Sequence, residues 1–374
     1  MFKNVTAKLG RSDLNVIAAV LAIKGLILFF GAQAYQIVND RPLDGANSFL
    51  GIWNHWDAAL YLKIAETGYT AVGDDRYLIV FFPFYPALVH LTAIVAGNYL
   101  TSAFIVSGLA SVALGLAFNK LVKLDHSERT AHRAVLFLFI FPTAYFLHIP
   151  YTESLFLALS VGCFLAARKR YWLIAGALGA LACLTRINGL ILLPAIAFEV
   201  WEEYRETRQF DKNWLFLALI PTGFAGYLAL NYFVAGDPTV FLVHQREHWW
   251  KYFRLPWEGA LETFRRIDNP KPAEAQITGT QEFLFLILGL ASTLAAWRYL
   301  RKSYWFWMAA NWLLFVSTSF VISVPRYTLT LFPMFILMAI LSKQGRWINA
   351  SIIVWSILFL ALFSIQFTRG WWAF

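Results

Sequence analysis

Four charged side chains sit where a membrane chain has little use for charge. They are Asp57, Glu153, Arg186 and Arg326. Paired guanidinium groups suit phosphate oxygens, which they bind in bidentate fashion. A carboxylate nearby can take the proton from an attacking hydroxyl. Together they fit the transfer of a group carried on a lipid phosphate, with the arginines holding the phosphate as it leaves. Phosphate is a competent leaving group, so the chemistry needs no metal. No cofactor is expected, although a divalent ion would be compatible with the site. Taken singly, each charge has a plainer reading: an arginine can bind lipid headgroups, and a glutamate can pair with it. Two acids and two arginines on one face make coincidence a weaker account.

Asp57 lies in the stretch Trp53-Asn54-His55-Trp56-Asp57 that continues to Gly68-Tyr69. The stretch is too polar to cross a bilayer. Trp53, Trp56, Leu60 and Ile64 recur at three- and four-residue spacing, which predicts one face of a helix over 53–68. Asp57 and Tyr61 share a neighbouring face, and Gly68 can end the helix. The simplest reading of such a helix is an interfacial anchor. Here the acid has polar company at the same membrane face, and a catalytic helix becomes the better reading.

The elements that must position these groups are membrane spans. The chain has 374 residues, 59% hydrophobic and 14% charged, against about a quarter charged for a soluble protein. Apolar runs of spanning length recur from Leu14 to Phe367, and no polar segment is long enough to form a second domain. The expectation is an all-α polytopic membrane protein, one domain over 1–374. The net charge of +9 resides in short loops between apolar runs, as topology signals do, which argues against nucleic acid as a partner. Cys163 and Cys183 fall inside apolar segments and read as small core residues.

Lys3, Lys8 and Arg11 precede the first run and place the N-terminus in the cytoplasm. That run lacks a cleavage site and reads as an uncleaved span. The loop over 36–100 is then external. Lys120, Lys123, Arg129 and Arg133 mark the next long loop as cytoplasmic, so an odd number of crossings lies between. The proline-interrupted run at 81–97 is therefore expected to be re-entrant or interfacial, packed against protein. About eleven spans follow from this parity, near 14–35, 101–121, 134–149, 152–167, 171–186, 189–202, 214–234, 281–297, 304–323, 326–342 and 347–367. Trp371-Trp372 falls at the outer interface. Glu153, Arg186 and Arg326 all then lie at outer span ends, on the face of Asp57. The two arginines break the positive-inside pattern, and an arginine there calls for an anionic partner.

Lys24, inside the first span, is either snorkelling or facing a polar interior. The external loop over 235–281 carries His244 and His248, four residues apart, which could share a helical face and a metal. No further ligand pattern accompanies them, and a role for this loop in covering substrate is the preferred expectation.

The residues resemble those of the PIG-V family, the GPI mannosyltransferase 2-like proteins among the GT-C membrane glycosyltransferases, in the form of a prokaryotic relative. The resembling pieces are Trp56-Asp57-Ala58 with Tyr61, Ile64-Ala65 and Gly68-Tyr69; Phe82-Pro83-Phe84-Tyr85-Pro86; Pro150-Tyr151-Thr152-Glu153-Ser154; Thr185-Arg186-Ile187-Asn188-Gly189; and Arg326-Tyr327 with Phe332-Pro333. They occur in the family's order over positions 53 to 334.

The resemblance implies a GT-C-type helical bundle, with amphipathic interfacial helices in the first external loop and an extracytoplasmic active site. It also implies a polyprenyl- or dolichyl-phosphate sugar donor, typically mannose, and inversion at the anomeric carbon. The catalytic acid of the first external loop maps onto Asp57. Arg186 and Arg326 are expected on the donor phosphate, with Trp53, Trp56, Tyr61, Tyr85, Glu153, Asn188 and Tyr327 around the substrates. The compact chain, with Ile187 and Thr152 where the family has serine, favours a lipid-linked or glycan acceptor other than a GPI precursor. The location implied is a prokaryotic plasma membrane, or the endoplasmic reticulum in a eukaryote. The competing class is a lipid-linked sugar transporter, which would need polar groups at mid-membrane and on both faces. The spans are poor in such groups, and paired repeats are absent. A scaffolding subunit would have no need of the two arginines.

Overall fold

The computed structural model describes residues 10–373. Lys3 and Lys8, used above as topology signals, lie outside them. Among the described residues the fold is all-helical, and the sole strand-like pairing is a single bridge between Phe253 and Thr318. Five helices are long and apolar enough to cross a membrane: Arg11–Asn39, Tyr99–Val122, Lys212–Ala235, Pro272–Tyr299 and Arg346–Thr368. Two bent pairs, Asp74–Val80 with Phe84–Ala96 and Val324–Thr330 with Pro333–Leu341, raise the number to seven if each is one span.

The other expected spans are helices too, but shorter. Glu128–Ile140, Glu153–Arg168, Trp172–Cys183, Leu192–Thr207 and Lys302–Val316 run 12 to 16 residues. At 1.5 Å per residue they fall short of a hydrocarbon core about 30 Å thick. The apolar run at 134–149 ends its helix at Ile140 and turns through a short 3₁₀ segment, Ala144–Leu147, before Glu153. Apolarity alone had merged two elements there.

The run at 81–97 bends by 110° away from the preceding turn. Tyr85, Pro86 and Val89 pack inward, while Leu91, Ile94 and Val95 are exposed. It is therefore packed against protein on one side and exposed on the other. Lys24 faces the protein interior: its Nζ donates to the carbonyls of His148, at 2.9 Å, and Phe104. It thus ties the first helix to the segment that leads into Glu153.

The predicted helix at 53–68 is shorter in the structure. It runs Asp57–Thr67, and Trp56 caps it with φ +55°. Trp53 therefore precedes the helix and shares no face with Leu60 and Ile64. Gly68 does end it, with φ +74° and its N–H on the Ile64 carbonyl, a backbone conformation natural to glycine. Trp53 is fully buried, its ring 6.1 Å from Phe367 and 6.3 Å from Tyr145. Gly31 of the first helix leaves room for it, since a Cβ there would come within 2.3 Å of the indole.

Candidate active site

Asp57 and Glu153 are each the first residue of a helix, Asp57–Thr67 and Glu153–Arg168. A carboxylate in that position is favoured by the helix dipole. Arg326 lies in the four-residue turn Val324–Tyr327 and joins the two acids. Its Nη1 donates to Asp57 Oδ2 at 2.6 Å and its Nε to Glu153 Oε1 at 2.5 Å. Arg186 reaches the same Glu153 oxygen from the other side at 2.5 Å and also donates to Thr152 Oγ1 at 3.2 Å. The four charges picked out by sequence thus form one continuous network across 269 residues of chain.

Their exposures differ in an informative way. The side chains of Glu153 and Arg326 are 1% and 4% exposed, that of Arg186 is 15%, and that of Asp57 is 29%. Arg326 also lies under two aromatic rings, with Tyr151 at 4.5 Å and Phe146 at 5.1 Å. It is therefore largely enclosed, between the two acids and these rings, and is much the less accessible of the two arginines expected on the phosphate. Arg186 is the arginine that a ligand can reach. Asp57 gives only Oδ2 to Arg326, which leaves Oδ1 open to solvent.

His55, two residues before Asp57, is the rival base in this stretch. Burial lowers its pKa below the ordinary imidazole value, opposed by the Thr368 carbonyl. Its Nε2–H donates to that carbonyl at 3.3 Å, and the ring lies edge-on to Phe367. It is engaged away from Arg326 and Asp57.

The remaining expected residues separate into those near the network and those that support it. Tyr327 is half-buried beside Arg186, whose guanidinium lies 5.6 Å from its ring. Tyr61 is buried edge-on to Phe81, Tyr85 and Tyr151 at 5.2 to 6.4 Å. Trp56 is exposed and sits edge-on to Trp372 at 5.0 Å. Tyr85 is buried, with its hydroxyl 3.0 Å from Ser107 Oγ. Asn188 is buried and donates to Asn311 Oδ1 at 2.7 Å. Trp53, Tyr85 and Asn188 therefore hold the frame and do not face the charges.

The Arg186 turn is set by close backbone contact. A Cβ at Gly189 would fall 2.4 Å from the backbone nitrogen of Cys183, and backbone cannot yield as a flexible side chain does. Gly189→Ala is expected to displace the turn and lower stability by about 1–3 kcal/mol. Thermal unfolding of the purified protein measures this. The neighbouring proline-aromatic segment is tied to the same turn, since Phe84 N–H donates to the Leu184 carbonyl at 3.0 Å.

Three further residues shape the site: Tyr151, quoted above only as part of a motif, and Glu282 and Lys251, which carried no sequence signal. The Tyr151 hydroxyl donates to the His55 carbonyl at 2.9 Å and joins the Glu153 and Asp57 segments. The fully buried carboxylate of Glu282 accepts the consecutive N–H groups of Ser323 and Val324, both at 2.7 Å, and fixes the start of the Arg326 turn. Lys251, from the long segment after residue 235, comes to Tyr327. From the same segment His248 stacks on Tyr77 of the first loop at 4.0 Å, and His244 meets that ring edge-on at 5.1 Å. Among the described residues no three His, Cys, Asp or Glu side chains are grouped to hold a metal ion.

Comparison with known proteins agrees with this architecture. Residues 82–228 match the sequence profile of dolichyl-phosphate-mannose-protein mannosyltransferases, a stretch that includes Glu153 and Arg186. Over 92 residues the chain is 39% identical to GPI mannosyltransferase 2 of Yarrowia lipolytica, which is 24% of this chain and 26% of that relative. The fold is similar to that of the Archaeoglobus fulgidus oligosaccharyltransferase, crystallised with a tethered acceptor peptide. The TM-score is 0.51 at 12% identity, over 94% of this chain and 55% of that one. The fold is thus of the GT-C type, that of membrane-embedded glycosyltransferases. The chain spans only about half of that solved structure, and its match to the yeast relative covers about a quarter of that protein.

Proposed function

We propose that the chain is an inverting glycosyltransferase that moves mannose from a polyprenyl- or dolichyl-phosphate donor to a hydroxyl of a lipid-linked or glycan acceptor. The observation that carries this reading is Asp57, held by Arg326 through one oxygen with the other open, beside a second, reachable arginine. The acceptor oxygen attacks the sugar C1 and gives its proton to Asp57 Oδ1. The bond from C1 to the phosphate oxygen breaks, and the lipid phosphate leaves with the electron pair. The new glycosidic bond forms on the opposite face, with inversion. Arg186 is the arginine that meets the phosphate. Arg326 and Glu153 hold Asp57 in line, and supplying fixed charge before the reaction is where such sites gain most.

The site is read as extracytoplasmic in a multi-pass protein of a prokaryotic plasma membrane, or of the endoplasmic reticulum in a eukaryote. The test is the full chain reconstituted in liposomes with radiolabelled polyprenyl-phosphate mannose and a crude lipid acceptor extract. Transfer of label to acceptor is the expected result. Label that stays on its donor but moves between leaflets would overturn the reading in favour of a lipid-linked sugar transporter.

A further inference from the structure

We infer that Lys251 is the second cation of the phosphate site and acts with Arg186 in the place the sequence had given to Arg326. The inference rests on the donor reading above and names a residue that reading does not contain. Its basis is the distribution of charge around Tyr327. Arg186 and Lys251 each lie 5.6 Å from the Tyr327 ring. Arg186 is partly compensated by Glu153, whereas no carboxylate lies within ion-pair distance of Lys251 among the described residues. Asp57 and Glu153 are paired with Arg186 and Arg326, and Lys251 stands outside these pairs. An anion that enters between Tyr327 and Arg186 meets it.

A lysine on a long loop ordinarily extends into solvent, and its position would then mean little. Here the backbone around it is tied down on both sides. Lys251 N–H donates to the Gln245 carbonyl at 2.9 Å, and Ser319 N–H donates to the Tyr252 carbonyl at 2.8 Å. Ser319 Oγ donates to the Trp250 carbonyl at 2.6 Å, and Phe253 bridges Thr318. The segment is thereby laced to residues 317–319, just ahead of the Arg326 turn. Lys251 Nζ lies over two rings, Phe320 and Tyr327. A lysine ammonium is a compact charge able to meet a phosphate oxygen. A half-buried one placed on aromatic faces is ready for an anion without prior loss of a carboxylate partner.

The test uses the purified full chain in nanodiscs of neutral phospholipid, with three probes: decaprenyl monophosphate, decaprenol and phosphatidylglycerol. The wild type is expected to bind decaprenyl monophosphate more tightly than decaprenol. Lys251→Gln should weaken the phosphate-bearing probe at least about tenfold and leave decaprenol unchanged. Lys251→Arg should restore most of the loss, and equal melting temperatures of the three proteins separate lost binding from lost folding. Undiminished affinity of Lys251→Gln for decaprenyl monophosphate would overturn this inference alone. An equal loss for phosphatidylglycerol would also overturn it, as the mark of an unselective headgroup contact. If the folded wild type does not prefer the phosphate over the alcohol, the donor reading fails and the inference with it.

Discussion

Asp57→Asn is expected to lower kcat by about 10²–10⁴-fold while leaving the KM for the lipid-phosphate donor close to the wild-type value. The substitution suits the geometry. Arg326 Nη1 donates to Asp57 Oδ2 at 2.6 Å, and an amide oxygen in that position accepts the same bond, so the charged network keeps its shape. What is lost is the open oxygen as a proton acceptor. Steady-state kinetics with radiolabelled donor at varied concentration separates the two parameters. A mutant that turns over within about twofold of wild type removes Asp57 from the role of base. A large rise in KM with kcat preserved makes it a binding residue instead. His55 is the residue a surviving activity would first point to, but its Nε2–H is committed to the Thr368 carbonyl. The double variant Asp57→Asn, His55→Gln then decides whether that commitment holds.

The charged network was legible in sequence for a physical reason. In a span-rich chain, a charge at the apolar boundary needs a partner. Asp57, Glu153, Arg186 and Arg326 were picked out on that ground, and each found its partner among the other three. The division of labour among them was not legible. Arg186 and Arg326 look alike as residues at span ends, and only packing shows that Tyr151, Phe146 and two carboxylates enclose one of them. Trp53 misled for a related reason. A three-residue spacing fits a helical face only when both residues lie in the helix, and Trp56 interrupts the helix with φ +55°. Lys251 and Glu282 lie in no pattern at all, because their positions depend on where the segments after residues 235 and 316 return to the bundle. The eleven apolar runs show the complementary difficulty. Hydropathy detects that a segment is buried or lipid-facing, but several runs form helices of only 12 to 16 residues. Burial against neighbouring helices and burial in lipid leave the same mark on a sequence.

Glu153 has the largest expected effect on the fold and the site together. Its side chain is 1% exposed, and its Oε1 accepts from Arg186 and Arg326, both at 2.5 Å. Glu153→Ala removes the acid from between the two guanidinium groups. Arg326, itself 4% exposed, keeps its pair with Asp57 but loses the one with Glu153. Removing one partner of a buried charged pair costs on the order of 3–5 kcal/mol, because the remaining charge is still desolvated. Part of that cost is recovered if Arg186 turns toward solvent, as its 15% exposure allows. Arg326 has no such exit. The double variant Glu153→Ala, Arg326→Met, which replaces both charges with apolar groups, is therefore expected to be more stable than Glu153→Ala alone by about 1–3 kcal/mol. Thermal unfolding in the same detergent measures all three proteins. The double variant should nonetheless remain inactive, because nothing then holds Asp57 Oδ2. Stability that returns without turnover assigns Arg326 to positioning the base. Turnover that returns with stability means that Asp57 works without Arg326 and limits the arginine to a structural role.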